Sequence, residues 1–287
     1  MVKNERKRPI LLDFFKVKYI ININSFRGGE SVNIFKNKLW NWGHLEGSHN
    51  ELVGLDCNMT PEEFGREYGI NNSFIVSYGG NIQPPYKDMA ERFSSLDNVI
   101  WSVLGDSSTP LPNDRLGNTK DIIEALPYGK NIIGGVVDDF FSPKRLERFT
   151  PEVLMDIKKA LNDKGLEFWC VLYAHEMEKD LSVYMPCFDG VTFWIWKPEE
   201  INDMQMYLDK FFALAKDKKT MLGVYTYDFS VNAVMDEKLF EKQTRYYFDL
   251  LKKDETDGVI VCSSTIGDAD LATNKVLKKL IEEYSEM

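Results

Sequence analysis

The chain alternates between short apolar runs and amphipathic segments, and this alternation constrains its fold more than any other feature. Helix starts with a capping residue and a proline, such as Thr60-Pro61 and Thr150-Pro151, separate the apolar runs. The predicted strands are 18–24, 74–78, 99–104, 132–137, 167–173, 190–197, 221–227 and 258–262. Repeated strand–helix units imply a parallel sheet, and eight units in 287 residues predict a closed α/β barrel, the (β/α)8 or TIM barrel.

A single barrel domain is expected to occupy residues 1–287. Residues 1–16 form a charged N-terminal lead in this interpretation, and residues 25–59 form a long loop after the first strand, folded over the barrel mouth. Trp40 and Trp42 in that loop argue against disorder. An open doubly wound sheet is the alternative fold, but no glycine-rich phosphate loop follows the first predicted strand.

Composition excludes several classes of partner. The net charge is −10, from 35 basic and 45 acidic residues, which argues against binding to nucleic acid or to an anionic membrane. No run is long and apolar enough to span a bilayer. The N-terminus lacks the apolar core of a signal peptide, which predicts a cytoplasmic protein unless a secretion signal has been removed. The cysteines show no metal-binding spacing and are expected to be buried free thiols.

The strand 132–137 ends in a pair of acids, Asp138 and Asp139. Two acids at the end of a buried strand are costly to desolvate, and proteins seldom keep them there without a partner or a task. The carboxyl ends of barrel strands carry the chemistry in this fold. Polar and aromatic residues occupy the other predicted strand ends: Arg27, Tyr78, Asn81, Asp106, Tyr173, His175, Glu176, Trp194, Trp196, Lys197, Tyr225, Tyr227 and Asp228.

Acids set among aromatic rings and amides predict a carbohydrate site. Flat rings cover the apolar C–H faces of a sugar, while polar side chains bond its hydroxyl groups. All the residues of the preceding set except Glu176 and Asp228 are therefore predicted to bind substrate. The expected ligand is an oligosaccharide or another glycoside.

Strand parity predicts which of these side chains face the barrel axis. Parity does not decide which of Asp138 and Asp139 faces inward, because valine occupies both preceding registers. One acid should enter the cavity and the other should point towards a neighbouring loop. The side chains predicted to face inward are Trp169, Val171, Tyr173, His175, Trp194, Trp196, Tyr225 and Tyr227.

Glycoside hydrolysis commonly uses two carboxyl groups, one donating a proton and the other attacking the sugar or activating water. Adjacent acids on a strand point apart, so Asp138 and Asp139 are not expected to form the pair. The preferred pairing joins Asp139 to Glu176 or Asp228, with Asp138 as a further candidate. His175 would orient or tune the second acid.

The chain resembles the barrel glycoside hydrolases, whose large clans place one catalytic acid after the fourth strand and another after the sixth or seventh. Asp139 and Asp228 match the fourth and seventh positions. The sequence departs from these clans: no Asn-Glu follows the fourth strand, and the Asp-x-x-Asp-x-Asp-x-Glu pattern of the chitinase-like group is missing. Four segments look similar to uncharacterised bacterial barrel proteins described as glycosidase-like: 137–141, 172–176, 193–197 and 225–228.

The leading hypothesis is a glycosidase that needs no cofactor and no metal. One alternative is a sugar-binding barrel without catalysis, which would keep the tryptophans but lack a working carboxyl pair. Another is a metal-dependent sugar isomerase or lyase, with Asp138, His175 and Glu176 as ligands.

Overall fold

A computed structural model describes residues 35–287, and these residues form a closed barrel of eight parallel strands with helices between them. The predicted (β/α)8 barrel is confirmed. The strands are β1 Leu39–Gly43, β2 Asn72–Ile75, β3 Asn98–Leu104, β4 Ile132–Val137, β5 Glu167–Tyr173, β6 Gly190–Trp194, β7 Lys219–Tyr225, β8 Tyr227–Asp228, β9 Ala233–Val234 and β10 Gly258–Cys262. The barrel contains β1 to β7 and β10, while β8 and β9 form a separate antiparallel pair.

The helices cover the outside of the barrel, and a second layer of buried side chains lies between them and the strands. The α-helices are α1 Asn50–Val53, α2 Pro61–Tyr68, α3 Lys87–Arg92, α4 Thr119–Ala125, α5 Pro143–Arg148, α6 Pro151–Asn162, α7 Met204–Leu214, α8 Glu237–Lys252 and α9 Ala272–Glu286. Short 3₁₀ turns occupy Lys36–Lys38, Phe93–Ser95, Ala174–Glu176, Met185–Cys187, Pro198–Asp203 and Ser264–Ile266. None of the helices within 35–287 has the length and apolar character that crossing a bilayer requires.

Local sequence signals explain where α2 begins. The Thr60 hydroxyl accepts a hydrogen bond from the Glu63 backbone N–H at 3.1 Å, and the Glu63 carboxylate accepts one from the Thr60 N–H at 2.9 Å. This reciprocal cap satisfies two backbone donors that a helix start leaves free.

As predicted, the cysteines are free and buried.

The first barrel strand differs from the prediction. Leu39–Gly43 pairs with both β2 and β10 and so closes the ring. The assignment of all of 25–59 to a loop is therefore wrong, because Leu39–Gly43 is a barrel strand. The alternation of Leu39 to Gly43 is typical of a strand, and it turns Trp40 and Trp42 into the barrel. Segments 1–16 and 18–24, residue Arg27 and the inclusion of 1–34 in one domain lie outside the described residues.

Large rings fill the barrel interior. Trp40, Trp42, Phe74, Trp169 and Trp194 lie in one buried cluster along the barrel axis. Glycines on the neighbouring strands make room for two of the indoles. A Cβ atom at position 190 would lie 2.4 Å from the Trp169 ring, and one at position 223 would lie 2.2 Å from the Trp194 ring. The barrel is therefore a packed core, and open space begins only above these rings.

The inward parity predicted for β5 to β7 is confirmed for Trp169, Val171, Tyr173, Trp194 and Tyr225, which all belong to the interior cluster or pack against it.

For Tyr227 the inward prediction is wrong. The barrel strand ends at Tyr225, and the chain then turns into the β8–β9 hairpin, which takes Tyr227 to a separate cluster with Cys57, Ile266 and Leu271.

We predict that Gly223→Ala destabilises the protein, because the added methyl group overlaps the Trp194 indole. The expected cost is about 1–3 kcal/mol in the free energy of unfolding, measured by urea denaturation. If the overlap is the cause, Gly223→Ala combined with Trp194→Leu should cost less than the sum of the two single changes. Additive effects would contradict this explanation.

Candidate active site

A cavity of about 650 Å³ opens at the carboxyl ends of the barrel strands. Loops after most of the barrel strands contribute to its lining. Of the residues predicted for the site, the structure brings these together around the cavity: Tyr78, Asp106, Asp138, Asp139, Tyr173, His175, Glu176, Trp196 and Tyr225.

Five predicted residues do not line this cavity: Asn81, Trp194, Lys197, Tyr227 and Asp228. The Asn81 side chain accepts the Tyr78 backbone N–H at 3.0 Å, which closes a turn. Trp194 is fully buried below the cavity, and Lys197 is exposed. One oxygen of Asp228 accepts hydrogen bonds from the backbone and hydroxyl of Ser230, so this carboxylate shapes the hairpin.

Asp138 is the first residue after β4, and its side chain is 4% exposed. Its Oδ1 atom accepts a hydrogen bond from the Asp139 backbone N–H at 2.8 Å, while no residue in the described part of the chain bonds its Oδ2 atom. Desolvation raises the pKa of Asp138 well above its ordinary value, and the charges of Asp139 and Asp106 raise it further. This carboxyl group therefore keeps its proton at a pH where an exposed aspartate has lost it.

Asp139 has a backbone φ of 45°, in the left-handed region. Its Oδ1 atom accepts a hydrogen bond from the Tyr173 hydroxyl at 2.7 Å, and its Oδ2 atom accepts one from the Ser107 N–H at 2.8 Å. The left-handed turn breaks the alternation of an extended strand. One acid was expected to enter the cavity and the other to point towards a neighbouring loop, and in the structure both Asp138 and Asp139 line the cavity. Asp139 does reach the neighbouring loop as well, through Ser107.

Asp106 comes from the loop after β3 and is held by donors from that loop and from the loop after β2. Its Oδ1 atom accepts hydrogen bonds from the Gly79 N–H and from the backbone and hydroxyl of Thr109. Its Oδ2 atom accepts one from the Ser108 hydroxyl at 2.6 Å. Three carboxyl groups from two adjacent strand ends therefore lie at the cavity, each with a different set of hydrogen-bond donors.

Glu176 lines the cavity but is engaged elsewhere. One oxygen accepts the Tyr173 backbone N–H at 3.1 Å, and the other pairs with the Lys179 ammonium at 3.1 Å. This carboxylate caps the turn after β5 and carries its own counter-charge. The neighbouring His175 is exposed and stacks on the Tyr173 ring, with 5.4 Å between the ring centroids.

Sequence reasoning missed His44 and His49 as lining residues. Their rings lie 4.4 Å apart, and His49 lies 4.5 Å from the Tyr78 ring. Burial lowers the pKa of both, that of His49 to about 4, so both imidazoles are neutral at neutral pH. The alternating pattern of Leu39 to Gly43 could have identified β1, and with it His44 as a residue just beyond the end of a barrel strand. The sequence analysis also missed Trp42, Ser107, Ser108, Lys179, Phe229 and Cys262.

Aromatic rings from three successive strand ends form another part of the lining. The Tyr173 and Trp196 centroids lie 6.2 Å apart at 85°, and those of Trp196 and Tyr225 lie 5.6 Å apart at 89°. Such edge-to-face contacts fix the ring orientations and leave other ring faces free. In residues 35–287 no group of three His, Cys, Asp or Glu side chains is arranged to hold a metal ion, so the described lining gives no support to the metal-dependent alternative.

Comparison with protein-family models and with curated proteins finds no match. Solved structures do match. A chitinase from Chromobacterium violaceum ATCC 12472 has a TM-score of 0.50 at 10% identity, covering 85% of this chain and 99% of its own. A xylanase–amylase inhibitor protein has a TM-score of 0.55 at 14% identity, covering 83% and 98%. The tryptophan synthase α subunit of Legionella pneumophila str. Paris has a TM-score of 0.51 at 12% identity, covering 87% and 92%.

These similarities establish the TIM-barrel fold. The names of the three proteins describe a hydrolase, an inhibitor and a synthase subunit. One fold serves many reactions, so the reaction has to be argued from the site.

We predict that Asp138→Asn changes the pH dependence of stability. Asp138 has a higher pKa when folded than when unfolded, so its contribution to stability is fully present below the unfolded value, about 3.9, and is lost as pH rises through the folded value. Asparagine does not ionise. The melting temperature of the variant relative to wild type should therefore rise between pH 3 and pH 8.

Thermal unfolding across that pH range tests this prediction, with Asp228→Asn as the control outside the cavity. A difference between Asp138→Asn and wild type that stays constant with pH would show that Asp138 ionises normally in the folded protein.

Proposed function

We propose that the protein hydrolyses glycosidic bonds, with Asp138 as the general acid and Asp139 as the nucleophile or base. The observation that carries this proposal is the pairing of a buried, proton-holding carboxyl group with a hydrogen-bonded carboxylate in one aromatic-lined cavity.

The acid role follows from the environment of Asp138. A general acid needs a proton at working pH and access to the leaving oxygen. Burial favours the protonated form of Asp138, and its position in the cavity lining gives it access to the leaving oxygen. As the C–O bond breaks, the proton of Asp138 passes to the glycosidic oxygen and the bonding electrons stay with that oxygen.

Asp139 supplies the second carboxyl group. The Tyr173 hydroxyl and the Ser107 N–H hold its two oxygens. Its negative charge would stabilise the positive charge that develops on the sugar ring. It then either attacks the anomeric carbon or takes a proton from the attacking water.

The lining suits a sugar. The cavity volume of about 650 Å³ lies within the range of small-molecule sites, roughly 300–1,000 Å³. Trp196, Tyr225 and Tyr78 offer ring surface, and neutral His44 and His49 offer polar ring nitrogens. Uncharged rings beside carboxyl groups favour a neutral polyhydroxylated ligand over an anionic one.

This pairing differs from the one expected from sequence. The environments of Glu176 and Asp228 favour structural roles, because Glu176 is paired with Lys179 and Asp228 bonds Ser230. The chitinase among the structural neighbours is compatible with the proposal, but at 10% identity it supports the fold alone.

We predict that Asp138→Asn and Asp139→Asn each lower kcat by about 10²- to 10⁴-fold on an unactivated oligosaccharide. On a nitrophenyl glycoside, whose leaving group needs little protonation, Asp138→Asn should lose much less activity than Asp139→Asn. The activity of wild type should fall as pH rises through the raised pKa of Asp138, and the rates are measured across a panel of glycosides.

Asp228→Asn is the matched control and should stay within a few-fold of wild type. Wild-type rates in Asp138→Asn on unactivated substrates would remove it as the acid. Oligosaccharide binding by a wild-type protein that turns over none of the panel would favour the sugar-binding alternative instead.

A further inference from the structure

We infer that Arg145 is a positioning residue for the carboxyl groups, holding the strand ends that carry Asp106 and Asp138 in one arrangement. Its kinetic consequence rests on the proposed function, while its structural consequence does not.

The geometry places one guanidinium between two strand ends. Arg145 lies on α5 and is 4% exposed. It donates to the Gly105 carbonyl oxygen at 2.9 Å, and also to the carbonyl oxygens of Asp106 and Asp138. The main chain after β3 is thus tied to the main chain after β4 by a single side chain. Two of these three acceptors belong to cavity-lining acids, Asp106 and Asp138.

The burial of Arg145 needs this arrangement. A buried charge is costly unless its donors are satisfied. Within 35–287 no carboxylate forms an ion pair with Arg145, so backbone carbonyls provide the hydrogen bonds. A planar guanidinium carries several donors in a fixed fork and can serve three acceptors at once. A lysine ammonium at this position would keep the positive charge but not the fixed planar arrangement of N–H donors.

The charge of Arg145 also acts on Asp138. Burial and two neighbouring carboxylates raise the pKa of Asp138, and Arg145 is the charged side chain that opposes the rise. The ionisable groups that interact with Asp138 are Asp106 on the β3 loop, Asp139 after β4, Arg145 on α5, Tyr173 at the end of β5, Tyr225 at the end of β7 and Cys262 at the end of β10. Arg145 is the cation of this set, so its loss should move the pKa of Asp138 further upward.

Arg148 provides a matched control. It lies one turn further along α5, is half-buried, and donates to the carbonyl oxygens of Pro112 and Asp114. It therefore also ties α5 to the segment after β3, but it does not line the cavity. Replacing Arg148 with glutamine removes a similar charge and similar bonds without touching the acids.

The first experiment needs no substrate. The carboxyl ¹³C resonance of Asp138 is assigned with Asp138→Asn and followed against pH in wild type, Arg145→Gln, Arg145→Lys and Arg148→Gln. Arg145→Gln should titrate at higher pH than wild type, whereas Arg148→Gln should match wild type and Arg145→Lys should lie nearer to wild type than Arg145→Gln does. An unchanged titration in Arg145→Gln would overturn the electrostatic part of the inference.

The second experiment uses a glycoside that wild type hydrolyses. Arg145→Lys should lower kcat on the order of 10- to 100-fold through misplacement of the acids, with a smaller change in KM. In Arg145→Gln the alkaline limb of the pH profile should also move to higher pH. A kcat in Arg145→Lys equal to that of wild type and Arg148→Gln would overturn the positioning role.

The two proposals fail in different ways. If wild type hydrolyses no glycoside, the proposed function fails and the carboxyl titration still decides the role of Arg145. If Arg145→Gln does not fold, as judged by cooperative thermal unfolding, Arg145→Lys decides the positioning role. If Arg145→Lys also fails to fold while Arg148→Gln folds, Arg145 is purely structural and the inference is wrong.

Discussion

The burial of the Asp138 carboxyl group is the constraint on which the rest of the site depends. Ionising a carboxyl group with almost no exposure costs free energy. The charged groups near Asp138 either favour its protonated form or offset the charge of its ionised form. The adjacent Asp139 and the nearby Asp106 raise the pKa of Asp138, and the charge of Arg145 lowers it. A buried carboxyl group with a raised pKa is a usual source of the proton in acid catalysis.

The packed barrel below the cavity makes this burial possible. Trp194 and Trp169 fill the axis because Gly223 and Gly190 leave room for their rings. These rings fill the barrel axis below the acids, and the cavity lies above them at the carboxyl ends of the strands. The strands β5, β6 and β7 that provide this apolar floor also lead to the aromatic lining, because Tyr173 ends β5, Trp196 follows β6 and Tyr225 ends β7.

Much of the fold could be predicted from sequence because each strand and helix carries its own signal. The barrel, the β4 diacid and the helix starts at Thr60 and Thr150 are local patterns. Strand β1 was missed because the run at 18–24 has a stronger β-branched signal in the sequence than Leu39–Gly43, the segment that pairs with β2 and β10. Pairing between distant segments is not a property of either segment alone.

The site was less predictable for the same reason. Parity assumes an extended chain, and the left-handed backbone of Asp139 broke that assumption. The role of Arg145 depends on carbonyl groups about forty positions away, which no local pattern reveals. The position of Glu176 after the fifth strand favoured a catalytic role in the sequence analysis. In the structure its carboxylate accepts the Tyr173 backbone N–H and pairs with Lys179.

The seam between the first and last barrel strands has a consequence for how the protein matures. β1 pairs with β10, and His44 hydrogen-bonds Ser263 and Ser264 just beyond that strand. One wall of the cavity is thus assembled from the two ends of the barrel. During synthesis the ribosome releases the acids and most of the rings long before Ser264 emerges. The wall that His44 and Ser263 share therefore cannot be complete until the last barrel strand has been synthesised.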